Sequence, residues 1–328
     1  MGNFFSQSFF LPKPAITEHN CPDQKGRVFI VTGGYAGVGY ELSRILFACN
    51  ATVYVAGRSD QKASSAIAKI KQQNVRSTGR LEFLKLDLAE LESIKPAVEA
   101  FRAKEQRLDV LVNNAGVMFP PIGSTTAQSH DLQVGTNLLG PYLLYKLLLP
   151  LLARTAASSP TASVRVAWAG SVGIEVASPG NGGMKLNADG SPNSSEVSNE
   201  VNYGQTKTGN FFFSKEFARS TPENGVVHVC FNPGNLRTEL QRHWGGIGAK
   251  ITDVLLLYPA VYGGYTELWA SVAPEITPEK SGSYVWPWGR LGGVRPDVEA
   301  AAKSEAEGGM GMAKKLVAWC EKEVAAFA

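Results

Sequence analysis

Tyr203 and Lys207 stand four residues apart in NYGQTKTGNFFFSKEFARS. On a helix they share a face. A phenol titrates near ~10 and is a poor base at neutral pH. A neighbouring ammonium, or a positively charged ring bound beside it, stabilises the phenolate and lowers that value. Such a pair can pass a proton to or from an oxygen. A different chemistry is written into Thr32-Gly33-Gly34-Tyr35-Ala36-Gly37-Val38-Gly39. Glycines allow a tight turn there and bring backbone N–H groups close to a pyrophosphate, and the N-terminus of the following helix favours the anion. The next strand ends in Arg58 and Ser59. A carboxylate at that place would accept from a ribose 2′-hydroxyl, whereas a guanidinium beside a hydroxyl suits a 2′-phosphate. These residues favour NADP(H) over NAD(H). Asp87, with Leu88 beside it, ends the third strand, where the carboxylate either accepts from an adenine amino group or caps the next helix.

Positioning these groups requires a regular framework. Apolar runs recur at RVFIVTGG, TVYVAG, LEFLKLD, LDVLVNNAG, SVRVAWAG and VVHVCFNPG, and helical spacing fills the intervals. Leu42, Ile45, Leu46 and Cys49 share one face of GVGYELSRILFACN, and a long helix is predicted over about 128–153. Alternation of this kind predicts an α/β fold: a Rossmann-type doubly wound parallel sheet with helices on both faces. It is read as a single domain over 27–328 after an N-terminal extension, 1–26, with a cofactor half to about 160 and a catalytic and substrate half beyond. From 236 on the pattern is irregular. ITDVLLLYPAVYGGYTELWASVA reads as one or two helices and SGSYVWP as a final edge strand. The last helix carries Leu316, Val317, Cys320 and Val324 on one stripe.

Composition excludes several classes. With 44% apolar and 19% charged residues the chain has a real core, and a net charge of +3 without basic runs gives no nucleic-acid surface. Cys21, Cys49, Cys230 and Cys320 form no C-x-x-C pair and no metal-ligand spacing, and read as free thiols of a reducing, cytoplasmic setting with no bound metal. The most apolar stretch, LLGPYLLYKLLLPLLA, carries Lys146 and two prolines and reads as a buried helix rather than a membrane span. The N-terminus, MGNFFSQSFF, is a poor signal peptide but fits the myristoylation pattern through Gly2 and Ser6. One acyl chain would anchor it only marginally.

The glycine turn, N-N-A-G at 113–116, Asn137, Ser171, Y-x-x-x-K at 203–207 and P-G at 233–234 occur in an order that resembles the short-chain dehydrogenase/reductase family. The match runs over about 27–238 and looks nearest to the retinol-dehydrogenase-like branch and to fungal members of secondary metabolism. The resemblance implies a tetrad of Asn137, Ser171, Tyr203 and Lys207. Tyr203 would exchange a proton with the substrate oxygen, Ser171 would hydrogen-bond that oxygen, Lys207 would hold the nicotinamide ribose, and Asn137 would fix a water linking Lys207 to solvent. Asn114, Ala115 and Gly116 would line the ribose, and Pro233, Gly234 and Thr238 would seat the nicotinamide. An NADP(H)-dependent oxidoreductase follows, one that interconverts a ketone or aldehyde and an alcohol on a small molecule. The resemblance also implies a homodimer through helices at 128–153 and 203–219, unless the terminal segments cover them. Two departures stand out: Gly170 where many relatives have a second serine, and Tyr35 inside the glycine turn.

Two other readings compete. Ala169-Gly170-Ser171-Val172-Gly173 resembles the nucleophile elbow of a hydrolase, which needs a following helix and a histidine, here His228 or His243. A cofactor-binding sensor on the same fold would not need Tyr203. Trp244, Leu255, Leu256, Leu257 and Tyr258 read either as an apolar lid for a bulky substrate or as core. An insert over about 174–201, with SPGNGGMKLNADGSPNSSE at its centre, is expected as a flexible rim beside the site, touching ligand through Met184 and Leu186.

Overall fold

The structure is a computed structural model that describes residues 2–237 and 257–328. Its strands are β1 (Val28–Thr32), β2 (Thr52–Gly57), β3 (Arg80–Lys85), β4 (Val110–Asn113), β5 (Arg165–Ala169), β6 (Val227–Phe231), β7 (Leu236–Arg237), β8 (Tyr258–Pro259), β9 (Ser283–Trp286) and β10 (Arg290–Gly292). One sheet has the order β10-β9-β6-β5-β4-β1-β2-β3, parallel throughout except for the β9–β10 hairpin. The order reverses between β1 and β4, which is where a doubly wound sheet opens a crevice at its carboxyl edge. β9 is not the edge strand expected from SGSYVWP: it pairs with β6 on one side and β10 on the other.

The described helices are α1 (Gly2–Ser8), α2 (Gly37–Ala48), α3 (Asp60–Gln73), α4 (Ile94–Lys104), α5 (Leu132–Ala157), α6 (Gly173–Val176), α7 (Asn199–Ser220), α8 (Ala260–Val272), α9 (Pro296–Ala302) and α10 (Met312–Val324). Two apolar layers separate on the sheet. Leu42, Ile45, Val53, Val112, Phe231 and Leu268 pack on the face of α2, α3 and α8. Ile30, Leu111, Leu143, Trp168, Phe211 and Leu316 pack on the face of α4, α5, α7 and α10. The strands are buried on both faces, which is why they read as unbroken apolar runs.

α5 is long and apolar enough to cross a membrane by length and composition, but 67% of that window is buried inside this fold. Its apolarity serves the core. Its Lys146 pairs with Glu321 of α10, and the Tyr142 hydroxyl donates to the same carboxylate at 2.6 Å. α10 buries Ala313, Leu316, Trp319, Cys320 and Val324 against α5 and α7, so this chain's own C-terminus covers part of the helix pair expected to meet a second copy.

The insert is neither a free rim nor a cover for the site. Its centre folds back on itself through an isolated bridge between Leu186 and Pro192 and the bond from Asn193 N to Lys185 O, 2.9 Å. Asp297 accepts from Gly182 N at 2.9 Å, Gln205 accepts from Lys185 N at 2.7 Å, and the Arg295 guanidinium donates to Ser178 O at 3.0 Å and to Pro179 O. Met184 is 2% exposed and sits in the core with Val298 and Ala301, and Leu186 packs against the same layer. Both side chains pack on the core, Met184 fully and Leu186 in part. The expected apolar lid residues Trp244, Leu255 and Leu256 lie outside the described residues.

Candidate active site

A cavity of about 420 Å³ opens at the carboxyl ends of β1, β2 and β4. The turn from Gly33 through Tyr35, Ala36, Gly37 and Val38 forms one end. Arg58, Lys62, Asp87 and Leu88 flank it; Asn114, Ala115 and Gly116 lie along its length; Tyr203 and Lys207 reach it at the far end. Asn114 and Ala115 are tied to the first strand. The Asn114 side-chain amide donates to Thr32 O at 2.7 Å, and Ala115 N donates to Thr32 Oγ1 at 2.9 Å. The first turn of α2 has no side-chain cap and no acidic residue, so its unpaired N–H groups are left for an anion. This elongated, uncapped cradle fits a dinucleotide.

Not every expected residue lines this cavity. Ser59 caps α3, accepting from Lys62 N at 3.3 Å. Gly39 lies behind the turn, against Asn114. Pro233 and Gly234 stand at the end of β6, outside the lining, where Gly234 N donates to Asn232 Oδ1 at 3.0 Å. Thr238 lies outside the described residues. Asp87 accepts from Ala89 N at 2.9 Å, the turn-capping option, and its second oxygen is 4.0 Å from the Arg58 guanidinium. Lys62 was missed, although its place four residues after Arg58 on the opening turn of α3 was readable. Tyr35 now has a role. Its ring lies on Gly57, where a Cβ would come within 2.2 Å of Tyr35 Cε1, so the tyrosine requires the glycine beneath it.

The residues expected to do chemistry come from three places: α5, the segment after β5, and α7. Ser171 follows β5, and its Oγ accepts from Gly173 N at 3.0 Å. A Cβ on Gly173 would lie 3.4 Å from both Ser171 Oγ and Tyr203 Cε1, so the serine hydroxyl and the tyrosine ring lie on the same side of that glycine. Lys207 Nζ donates to Ala169 O at 3.0 Å. Asn137 sits in a wide π turn, Gly135–Leu139, within the long helix, a local irregularity common at functional sites. Its Oδ1 accepts from Val117 N at 2.8 Å, and its Nδ2 donates to Val117 O at 2.9 Å and Thr206 Oγ1 at 3.0 Å. Asn137 and Lys207 both come close to Gly116, where a Cβ would lie 3.0 Å from Asn137 Oδ1 and 3.5 Å from Lys207 Nζ. Phe119, in a left-handed backbone conformation at φ 52, sets its ring edge-on to Tyr203 with centroids 5.6 Å apart, and no pattern in the sequence marks it.

Burial dominates the titration of this pair. It pushes Tyr203 up to about 12, with the Ser171 hydroxyl working the other way. It pulls Lys207 down to about 8 against the opposing influence of Cys230 and Glu267. The chain's own residues therefore do not lower the phenol below its ordinary value, contrary to the expectation from the Tyr–Lys spacing. Lys207 is too desolvated to overcome the burial of its neighbour. At that value Tyr203 keeps its proton at neutral pH.

Gly170 is explained by its surroundings. A Cβ there would lie 2.8 Å from Cys230 Sγ and 3.1 Å from both Phe231 O and Tyr284 Cε2, leaving no space for a second serine. Tyr284 instead donates its hydroxyl to Ser171 O at 3.0 Å. A one-turn helix, α6, does follow Ser171, contrary to the Gly/Asn/Ser-rich loop expected there. His228 cannot serve a nucleophilic serine. It is fully buried among Tyr145, Trp168 and Phe217, its Nδ1 accepts from Trp168 Nε1 at 3.3 Å, and burial lowers its pKa to about 3. His243 lies outside the described residues. All four cysteines carry free thiols, and no metal-ligating cluster occurs among the described residues.

Residues 27–164 match the short chain dehydrogenase family. A short-chain dehydrogenase/reductase of Phomopsis amygdali is 46% identical over 319 residues, 96% of this chain and 94% of that protein. Among solved structures, the fold is shared with the Pseudomonas aeruginosa RhlG/NADP active-site complex: TM-score 0.62, 20% identity, 79% of this chain and 94% of that one. It is also shared with the 3-ketoacyl-(acyl-carrier-protein) reductase from Brucella melitensis complexed with NADH: TM-score 0.60, 20% identity, 80% and 96%. Because the similarity to a curated relative runs almost from end to end, this chain belongs to the short-chain dehydrogenase/reductase family of oxidoreductases, a family that binds NAD(P).

Proposed function

We propose that this protein is an NADP(H)-dependent ketoreductase acting on a bulky, apolar small molecule of secondary metabolism. The observation that carries the reading is Tyr203 with Lys207 on the cavity wall and Ser171, after β5, close to the Tyr203 ring. A bound nicotinamide supplies the hydride. The chain's residues supply placement and the proton. The Ser171 hydroxyl orients the carbonyl oxygen and steadies its developing charge, while the Tyr203 phenol, protonated at neutral pH, delivers the proton. Lys207 is within reach of the ribose side of the cavity, and Asn137 braces the Val117 backbone next to it.

The preference for NADP(H) rests on Arg58 and Lys62, two cations at the end of β2 and the first turn of α3, bordering the same cavity. Support for a bulky apolar substrate comes from aromatic side chains at the Gly234 turn. Tyr258, Tyr262 and Trp288 lie within 5.0–5.9 Å of one another, and the Trp288 ring lies against Gly234.

Tyr203→Phe tests the reading. Consumption of NADPH with polycyclic and aromatic ketones is expected to be lost in the variant while fluorescence still reports NADPH binding. Retained turnover would refute the assigned chemistry. Tight NADPH binding by the unaltered chain without turnover of any carbonyl would favour the sensor reading.

A further inference from the structure

The N-terminal extension is folded inside out. α1 buries its polar end: Gln7 is 0% and Ser8 3% exposed, while Phe5 is 56% exposed and Phe10, just past the helix, lies wholly in solvent. A segment packed for its own stability shows the reverse order, with aromatic rings inward and amide and hydroxyl in water. The inversion is held from within. Gln7 Oε1 accepts from Asn232 Nδ2 at 2.9 Å, across 225 positions, and Ser6 O accepts from the Arg290 guanidinium of β10. Both bonds tie the helix to the fold by its polar side and so fix which side looks outward. Phe4 and Phe9, half-buried, brace Phe5 with ring centroids 5.7 and 5.6 Å away. Phe10 takes a left-handed backbone, φ 53, which a bulky residue rarely adopts. α1 packs on α6, whose last residue, Val176, is exposed as well. Among the described residues seven large apolar side chains stand exposed, and three of them belong to this segment and the helix beneath it.

Exposed apolar groups that gather in one place mark a partner, and size and charge select which. An aromatic side chain buries roughly 150–250 Å², so Phe5 and Phe10 with Val176 offer on the order of 300–400 Å². A stable protein interface takes roughly 800 Å² from each partner, more than a second copy or another folded protein would meet here. A bilayer demands no matching shape and accepts aromatic side chains at its headgroup boundary. Residues 2–17 contain Lys13 and no carboxylate, and the first acid, Glu18, is paired with Arg44 at 3.2 Å. Glu175, beside Val176, is half-buried, and burial raises its pKa. The aromatic segment thus brings no negative charge of its own to an anionic surface.

We propose that Phe5 and Phe10, with Val176 beside them, dock this protein on a membrane surface containing anionic lipid, as a peripheral contact and not a span. The inference is independent of the ketoreductase reading. The pattern at Gly2 and Ser6 lies on the same helix. One acyl chain binds a bilayer only marginally and stable anchoring takes a second signal, which these side chains supply to a chain acylated there.

The test is co-sedimentation of the full-length, unacylated chain with vesicles of phosphatidylcholine and phosphatidylserine, without substrate or cofactor. The unaltered chain is expected to pellet with them, and less with vesicles of phosphatidylcholine alone. Phe5→Ser with Phe10→Ser should lower the partition coefficient at least ~tenfold, the loss of two apolar side chains transferred from water. Phe5→Trp with Phe10→Trp should retain binding, and Val75→Ser, at an exposed apolar residue after α3, should leave it unchanged. Phe10→Ser alone, at a side chain wholly in solvent, cannot unfold the chain by removing a packed group and should still give several-fold of the loss. No vesicle binding by the unaltered chain, or binding that survives in the double serine variant, overturns the proposal. Sedimentation velocity covers the other occupant: self-association that the same two substitutions abolish would assign the face to a second copy and overturn it as well.

Discussion

The Lys207 ammonium lies 5.6 Å from the centre of the Tyr203 ring, over its face, with its proton donated to Ala169 O. Burial holds the lysine down at about 8 and the phenol up at about 12. For reduction, the site needs a proton on Tyr203 and a charge on Lys207. As pH rises, Lys207 loses its proton first, so kcat/KM for the cofactor, which reports the free enzyme, is expected to fall above pH about 8. Lys207→Arg, whose charge does not titrate in this range, should move that limb to higher pH even at reduced kcat. An alkaline limb in the same place in both proteins would assign it to another group.

Cofactor choice should respond to Arg58 and Lys62 together. Hydrogen bonds to charged groups contribute roughly 1.5–3 kcal/mol each. Arg58→Asp with Lys62→Glu is therefore expected to lower the NADPH-to-NADH ratio of kcat/KM by at least ~tenfold. A ratio unchanged in steady-state kinetics would leave the phosphate preference without a cause in these residues.

Gly170→Ala should be felt as overpacking. The new methyl meets the buried Cys230 Sγ and the Phe231 carbonyl, a kind of insertion that costs roughly 1–3 kcal/mol. The melting temperature should fall by a few degrees, and Cys230→Ala in the same chain should recover part of the loss. A wild-type melting temperature in the single variant would show that the pocket has slack.

His228 ties stability to acid. Its folded pKa, about 3, lies below the ordinary value of 6.5 because the ring is buried. The folded state refuses a proton that the unfolded chain accepts. The contribution is fully present above pH 6.5 and is lost as pH falls towards 3, at about 1.4 kcal/mol per pH unit once the unfolded histidine is protonated. Denaturant titrations between pH 7 and 4 should show this slope. His228→Phe should flatten it, at the expense of leaving Trp168 Nε1 without its acceptor.

The sheet and the order of its chemistry were legible because strands buried on both faces read as apolar runs, and because the Tyr203–Lys207 spacing needs only one helix. What escaped reading depended on contacts distant in sequence. The insert resembles a free loop by composition, yet Asp297 and Arg295 hold it from 115 and 117 positions away. β10 is three residues of Arg-Leu-Gly, too short for any alternation, so the sequence pattern ends at β9. The Tyr203 pKa was read from a lysine four residues along, whereas burial by partners across the fold outweighs that neighbour. Gln7 lies in a stretch whose pattern marks Gly2 and Ser6 but not Gln7, and its partner is found on the turn after β6.

α10 has a consequence for concentration. It lays Leu316 and Cys320 into the layer built by α5 and α7, and anchors Tyr142 and Lys146 through Glu321. A neighbouring molecule that used the same apolar area would have to evict a segment of the chain it approached. The chain thus carries intramolecularly a cover that another copy would otherwise supply by mass action. Dilution removes nothing from the part of that face that α10 covers.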